Sequence, residues 1–191
     1  MSTTTLYRLA GLAAILAGIA YLSDTALDYL QPQNTLGVGI FVSLFGLYGL
    51  AGLFSFQREQ GGYLNLVGYV LNSTGLAALI GVVFTNNFIL PNLETAVIQE
   101  LFAGPLLPIF ITIGVIYLIG VLLFSAALWR ANLFSKYAIG LYALGSIPAA
   151  LPNVFPAIIV TIGGILVSIG IAWLGTQLWR GLEVQVQPVT A

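Results

Sequence analysis

The intervals that carry no charged side chain constrain this chain more than any other feature. Residues 29–57, 60–93, 101–129 and 137–179 contain no Asp, Glu, Lys or Arg. A bilayer core about 30 Å thick takes roughly 20 apolar residues to cross as a helix. The intervals 29–57 and 101–129 therefore supply one span each, 60–93 one span and a connection, and 137–179 two. With the N-terminal stretch, the expected fold is all-α: a single integral membrane bundle over 1–191 with six transmembrane helices. Their spans are expected at about 6–24, 36–56, 63–84, 106–129, 134–151 and 157–179, with no soluble domain.

Composition limits the chemistry. The chain is 59 % hydrophobic and only 6 % charged, with a net charge of −1, against a charged fraction of about 25 % in ordinary soluble domains. No basic cluster is present to neutralise phosphates, so no nucleic-acid partner is expected. Cysteine and histidine are both missing, which removes disulfides, thiolate chemistry, the commonest metal ligand and the commonest general base. Ser-His-Asp triads, His/Cys zinc sites and haem held by His or Cys are impossible within the chain, and neither a cofactor nor a metal is expected. Ser135 and Lys136 are adjacent, about 100° apart on a helix, and do not form a nucleophile pair. Asp24 and Asp28 share one helix, unlike the carboxylate pair of an intramembrane aspartyl protease. The expectation is a protein that is not an enzyme.

Orientation follows from the basic residues. Arg8 precedes the first span, Arg58 lies between the second and third, Arg130 and Lys136 between the fourth and fifth, and Arg180 follows the sixth. Asp24, Asp28, Glu94 and Glu100 fall on the other side, where there is no Lys or Arg. The positive-inside rule makes the basic side cytoplasmic and predicts both termini inside. Trp129 and Trp179, just before Arg130 and Arg180, suit an aromatic belt at that interface. Arg8 followed by apolar residues 9–22, with Gly18 and Ala20, also has the pattern of a secretory signal; it is read here as the first membrane helix.

Small residues mark helix-packing faces. Ala10, Ala14 and Gly18 recur every four residues in the first span, and Gly46, Gly49 and Gly52 line the second, as helices that approach closely in lipid require. Such faces predict membrane lipid as partner, and other membrane subunits docking through them. Residues 91–103 read as a short interfacial helix on the exterior side, with Leu93, Val97 and Leu101 on one face. Leu53-Phe54-Ser55 with Arg58 and Gly68 parallels Leu123-Phe124-Ser125 with Arg130 and Gly140; the two hairpins read either as duplicates or as a chance match of apolar segments. Leu90-Pro91-Asn92 and Leu151-Pro152-Asn153 both fall on the exterior side, which rejects an aquaporin-like pair of half-helices and leaves Pro as a helix punctuator.

The candidate site is polar and sparse. Counting from Arg8, a rise of 1.5 Å per residue puts Asp24 about 24 Å along the first helix and Asp28 about 30 Å along. A carboxylate within the hydrocarbon marks a functional position by default, whereas at the boundary it is an ordinary helix end. Asn72, with Ser73 and Thr74, lies near the middle of the third span, where its amide either bonds a neighbouring helix or lines a cavity. Asp24, Asp28, Asn86 and Asn87 are expected to gather at the outer end beside residues 91–103, because unpaired polar groups in lipid are costly. That gathering is either a ligand or ion site or the wet rim of a bundle.

The segments Tyr7-Arg8-Leu9-Ala10-Gly11, Leu66-Val67-Gly68-Tyr69-Val70-Leu71, and Leu128-Trp129-Arg130-Ala131 through Lys136-Tyr137-Ala138-Ile139-Gly140 resemble small multi-pass bacterial membrane proteins of unknown function. The resemblance implies a prokaryotic plasma membrane and supplies no activity or catalytic residue. Two functions then compete. One is a non-catalytic bundle that works by association, as a subunit of a membrane complex or a binder of a lipid-like molecule. The other is a small-solute or cation transporter or channel that uses Asp24 and Asn72.

Overall fold

The computed structural model describes residues 3–30, 37–152 and 154–185, with side chains to residue 181. Among these residues the chain is helical, with no strand. The helices are α1 (Thr3–Leu30), α2 (Gly39–Phe56), α3 (Arg58–Phe84), α4 (Thr95–Ala103), α5 (Leu106–Ala131), α6 (Lys136–Ala150) and α7 (Ala157–Gln185). Five helical stretches are long and apolar enough to cross a membrane: Thr3–Leu30, Gly39–Phe56, Arg58–Asn92, Leu106–Ala131 and Ala157–Gly181. At 15 residues, α6 is shorter than these.

The boundaries differ from the sequence reading where polar residues were taken as helix ends. The first helix runs through Asp24 and Asp28 to Leu30, because a carboxylate interrupts a hydrophobic pattern without breaking backbone hydrogen bonds. The expected start of the second span at residue 36 lies outside the described residues. Beyond α3 the chain continues through a π-helical turn, Thr85–Ile89, and a 3₁₀ turn, Leu90–Asn92, so Asn86 and Asn87 extend the helix. The break near Gly61-Gly62 is real: Gly62 has φ +55° and separates the turn from Arg58 onward from the main body of α3, a conformation that suits a residue without Cβ. Asn132, at φ 54°, closes α5 as a left-handed cap, its N–H bonding Leu128 O at 3.3 Å.

Six helices form a closed ring in the order α1, α2, α3, α5, α6, α7 and back to α1, with the closest pairings between α3 and α5 and between α1 and α7. Neighbours are antiparallel throughout. Along α1, Gly11 meets Gly175, Gly18 meets Ser168 and Ala172, and Thr25 meets Gly164 on α7. Along α3, Gly68 meets Phe124, Asn72 meets Gly120 and Gly75 meets Tyr117 on α5. This alternation brings Arg8, Arg58, Arg130, Lys136 and Arg180 to one end of the ring, where the Lys136 ammonium sits 5.5 Å over the Trp129 ring. Asp24 and Asp28 belong to the opposite end, as do Glu94, the residue before α4, and Glu100 within it.

Small residues line the contact between α1 and α7 and large apolar ones on both helices face out, while Phe124, Leu128, Ile139, Leu174 and Leu178 fill the interior elsewhere. On α1, Ala10, Ala13, Ala14 and Ala17 are buried while Leu9, Leu12, Leu16 and Ile19 are exposed. On α7, Gly164, Ser168 and Gly175 pack inward while Ile158, Ile162, Ile165, Ile169 and Trp173 face out. Contiguous exposed apolar surface of this extent would be a liability in water. In lipid the arrangement is favourable, because packing and not apolar burial drives helix association.

Candidate functional site: a tyrosine-lined centre below a carboxylate rim

Where the six helices converge they leave a narrow cavity. Its wall draws on every helix of the ring, including Tyr21, Gly46, Leu76, Tyr117, Tyr142 and Val167. About 40 Å³ is open to the centre of a water molecule, within about 510 Å³ of unfilled space that includes the mouth. The wall is almost wholly hydrocarbon, interrupted by tyrosine.

Asn72 is the buried partner of one lining residue, Tyr142. Asn72 is fully buried, and its Nδ2 donates to the Tyr142 hydroxyl at 2.8 Å. The bond runs from α3 to α6, which are not ring neighbours, and so crosses the bundle interior. Gly120 makes room for it, since a Cβ there would run into the Asn72 backbone. Tyr117 stands within reach of the Tyr142 and Ser146 hydroxyls, and Ser146 Oγ donates to the Tyr142 carbonyl at 2.7 Å. Asn72 Oδ1, by contrast, has no partner. Tyr21 lines the same cavity, about one turn before Asp24 on α1.

Asp24 has a local structural task. Its carboxylate accepts the backbone N–H of Gly39, the first residue of α2, and a Cβ on Gly39 would stand 2.8 Å from Asp24 Oδ2 and 3.1 Å from Val83. The residue before α2, Val38, supplies no side-chain cap, so α1 caps its neighbour. At the other end Gln177 Oε1 accepts the Ser135 N–H at 2.9 Å, at the start of α6. The two shortest ring helices thus have their first turns closed by side chains of the two long ones. Replacing Asp24 by Ala is expected to cost about 1 kcal/mol of stability, and Asp24→Asn much less, since Asn is a comparable N-terminal acceptor. Unfolding in detergent checks this, and equal stability of Asp24→Ala and the native protein would show that the bond contributes nothing.

Of the five residues singled out in the sequence, the structure joins Asp24 to the neighbourhood of the turn bearing Asn86 and Asn87 through Gly39 and Val83. Asp28 and Asn86 are exposed and Asn87 is half-buried. Asn72 stands apart from that rim, in the bundle interior. Sequence reasoning missed Tyr21, Tyr117 and Tyr142, which nothing in a hydropathy pattern distinguishes from lipid-facing tyrosines. It also missed Gln57 and Asn65, a buried amide pair at the basic end in which Gln57 Nε2 donates to Asn65 Oδ1. The seven-residue spacing of Asn65 and Asn72, two turns along one helix face, was a readable signal.

An all-helical, membrane-embedded protein is the class to which the long apolar helices and their exposed apolar surface point. No protein-family pattern matches the chain, and no characterised protein or solved structure is significantly similar to it.

Proposed function

We propose that the protein is a six-span bundle of a prokaryotic plasma membrane, with both termini cytoplasmic, that binds a lipid-like molecule among its helices and catalyses no reaction. The observation that carries this reading is the central cavity, to which every ring helix contributes and whose hydrocarbon wall is interrupted by Tyr21, Tyr117 and Tyr142. The alternative form of association, docking of other subunits on small-residue faces, has less support. Those faces are occupied within the ring: Gly49 and Gly52 against Ala14 and Ala10, and Gly11 and Gly18 against α7.

In this reading α6 is the sixth span. Its packing between α5 and α7, with Gly145 against the Gly163 carbonyl and Leu166, supports that assignment. The short helix α4, held to α5 by contacts that include the Phe102–Phe110 ring pair at 6.1 Å, lies on the exterior surface of the bilayer. The orientation has a direct check, because the chain is free of native cysteine. Ser2→Cys and Thr190→Cys should resist impermeant thiol reagents applied to intact cells, and Thr95→Cys should react. The opposite labelling would invert the topology.

Binding is tested by purification in mild detergent followed by native mass spectrometry. A comigrating lipid-like mass is expected with the native protein and should be lost from Gly46→Phe. The Cβ at Gly46 meets only the Leu76 methyls at 3.5 and 3.7 Å, so the ring can enter the cavity. A monodisperse native particle with no bound molecule would count against binding.

A second reading, small-solute or cation transport, is favoured by one observation: Tyr21, about one turn before Asp24 on α1, lines the cavity with Tyr142, the partner of Asn72. Proteoliposome flux that is unchanged by Asp24→Asn would remove its motivation.

A further inference from the structure

We infer that the groove at the basic end of the α2–α3 hairpin holds the phosphate of an anionic phospholipid. Arg58 and Asn65 take the phosphate oxygens, and the lipid body lies against Leu66 and the apolar flank of α3. The site is distinct from the central cavity and does not depend on what binds there.

The groove is built by the break in α3. Gln57 closes α2, residues 58–61 make a helical turn on the Gln57 carbonyl, and Gly62 at φ +55° redirects the chain before Tyr63. What remains between that turn and the body of α3 is an open recess walled by Phe54, Arg58, Gly62, Tyr63, Asn65 and Leu66. About 530 Å³ of it is open to the centre of a water molecule, against about 40 Å³ in the central cavity, so a headgroup enters without displacing side chains. A Cβ on Gly62 would meet nothing within 4 Å, which keeps that side of the recess clear.

The polar side chains of the wall are donors. Arg58 is exposed and makes no ion pair among the described residues, and a guanidinium presents its N–H groups in a planar fork matched to phosphate. Asn65 is buried, and its Oδ1 is taken up by the Gln57 amide. Its Nδ2 carries two N–H groups and has one partner, the Phe54 carbonyl at 3.5 Å, which is the outer limit of a hydrogen bond. Tyr63 is 89 % exposed and can add its hydroxyl. An acceptor is what this wall lacks.

Charge and surroundings narrow the class. No Asp or Glu belongs to the wall, and Glu59, next to Arg58, is outside it. Nothing there receives the ammonium of a zwitterionic headgroup, and the Phe54 ring, which could face a cation, is stacked on Tyr69 at 4.3 Å. One cation among neutral donors suits a monoanionic phosphodiester. A lipid is favoured over a free phosphate by what continues the groove: Leu66 in the wall, then Val67 and Val70, are exposed along α3. In a bilayer crossed by α2 and α3, their junction at Arg58 sits at the level of the headgroups, with Tyr63 placed as an interfacial aromatic.

The test titrates the full-length protein in mild detergent with phosphatidylglycerol, phosphatidylethanolamine and diacylglycerol of the same acyl chains, and reads bound lipid by native mass spectrometry. Phosphatidylglycerol should bind most tightly. Arg58→Gln should weaken it about fivefold, the effect of one basic residue at a membrane surface. Lys136→Gln, which removes a charge from the same end, should have little effect. On the native protein, phosphatidylglycerol with a photoreactive headgroup should label the peptide containing Tyr63, a readout that needs no variant, and millimolar glycerol phosphate should not displace it. If phosphatidylethanolamine or diacylglycerol binds as tightly, selection of an anionic phosphate is overturned. Equal losses from Arg58→Gln and Lys136→Gln, or labelling confined to other peptides, would replace the groove with diffuse attraction to the basic end. Displacement by glycerol phosphate would make the ligand a soluble phosphate and overturn the lipid.

Discussion

Gly120→Ala is expected to destabilise the bundle by about 3 kcal/mol, the upper part of the range for overpacking a close-fitted interior, and Gly120→Leu to prevent assembly of the ring. The new methyl would meet the main chain of Asn72 and of Leu71, and backbone does not move aside as the end of a side chain does. The same contact would push Asn72 away from Tyr142, so the loss combines packing with an interior hydrogen bond. Gly81 supplies the control: a Cβ there meets nothing within 4 Å, and Gly81→Ala should be neutral or stabilising by up to about 1 kcal/mol through helix propensity. Unfolding in mixed micelles, with retention of a monodisperse particle as a second readout, measures both. Equal stability of Gly120→Ala and the native protein would show that α3 and α5 are not in the contact described here.

Tyr142→Phe and Asn72→Leu are each expected to cost about 1–3 kcal/mol, and the double variant less than their sum. Each single change strands one buried partner without water to replace it, whereas removing both leaves hydrocarbon against hydrocarbon. A double-mutant cycle should return a coupling of about 1 kcal/mol; interhelical hydrogen bonds in membranes average about 0.6 kcal/mol, and this one is buried on both sides. Additive losses would mean that the Asn72 amide and the Tyr142 hydroxyl do not interact.

The two predictions exploit different physics, and they differ in how far the sequence disclosed them. That small residues mediate packing was legible from Ala10, Ala14, Gly18, Gly46, Gly49 and Gly52, since period and size suffice to identify a face. Which helix each face meets was not. Apolar segments are chemically alike, and a glycine stripe fits any backbone that can approach it. The pairing of α1 with α7, at opposite ends of the chain, depends on closure of the ring.

The site divides along the same line. Asn72 stood out because an amide deep in a hydrophobic span needs a partner wherever it is placed. The identity of that partner, Tyr142, required α3 and α6 to be brought to the same depth on opposite sides of the interior. Asp24 stood out because a carboxylate in a span is costly, yet its role at the first turn of α2 depends on how α1 and α2 lie together, which spacing along α1 cannot reveal.

By itself the sequence determined that the chain is helical, that it carries segments able to cross a bilayer, and that His and Cys chemistry is excluded. These follow from charge-free intervals and from missing residue types, both properties of the chain before it folds. Only the tertiary structure decided the order of helices around the ring, the tyrosine-lined cavity at its centre and the orphan oxygen of Asn72. Those depend on which side chains face one another across the interior, and hydropathy, which sets the environment of each segment, carries no information about its neighbours.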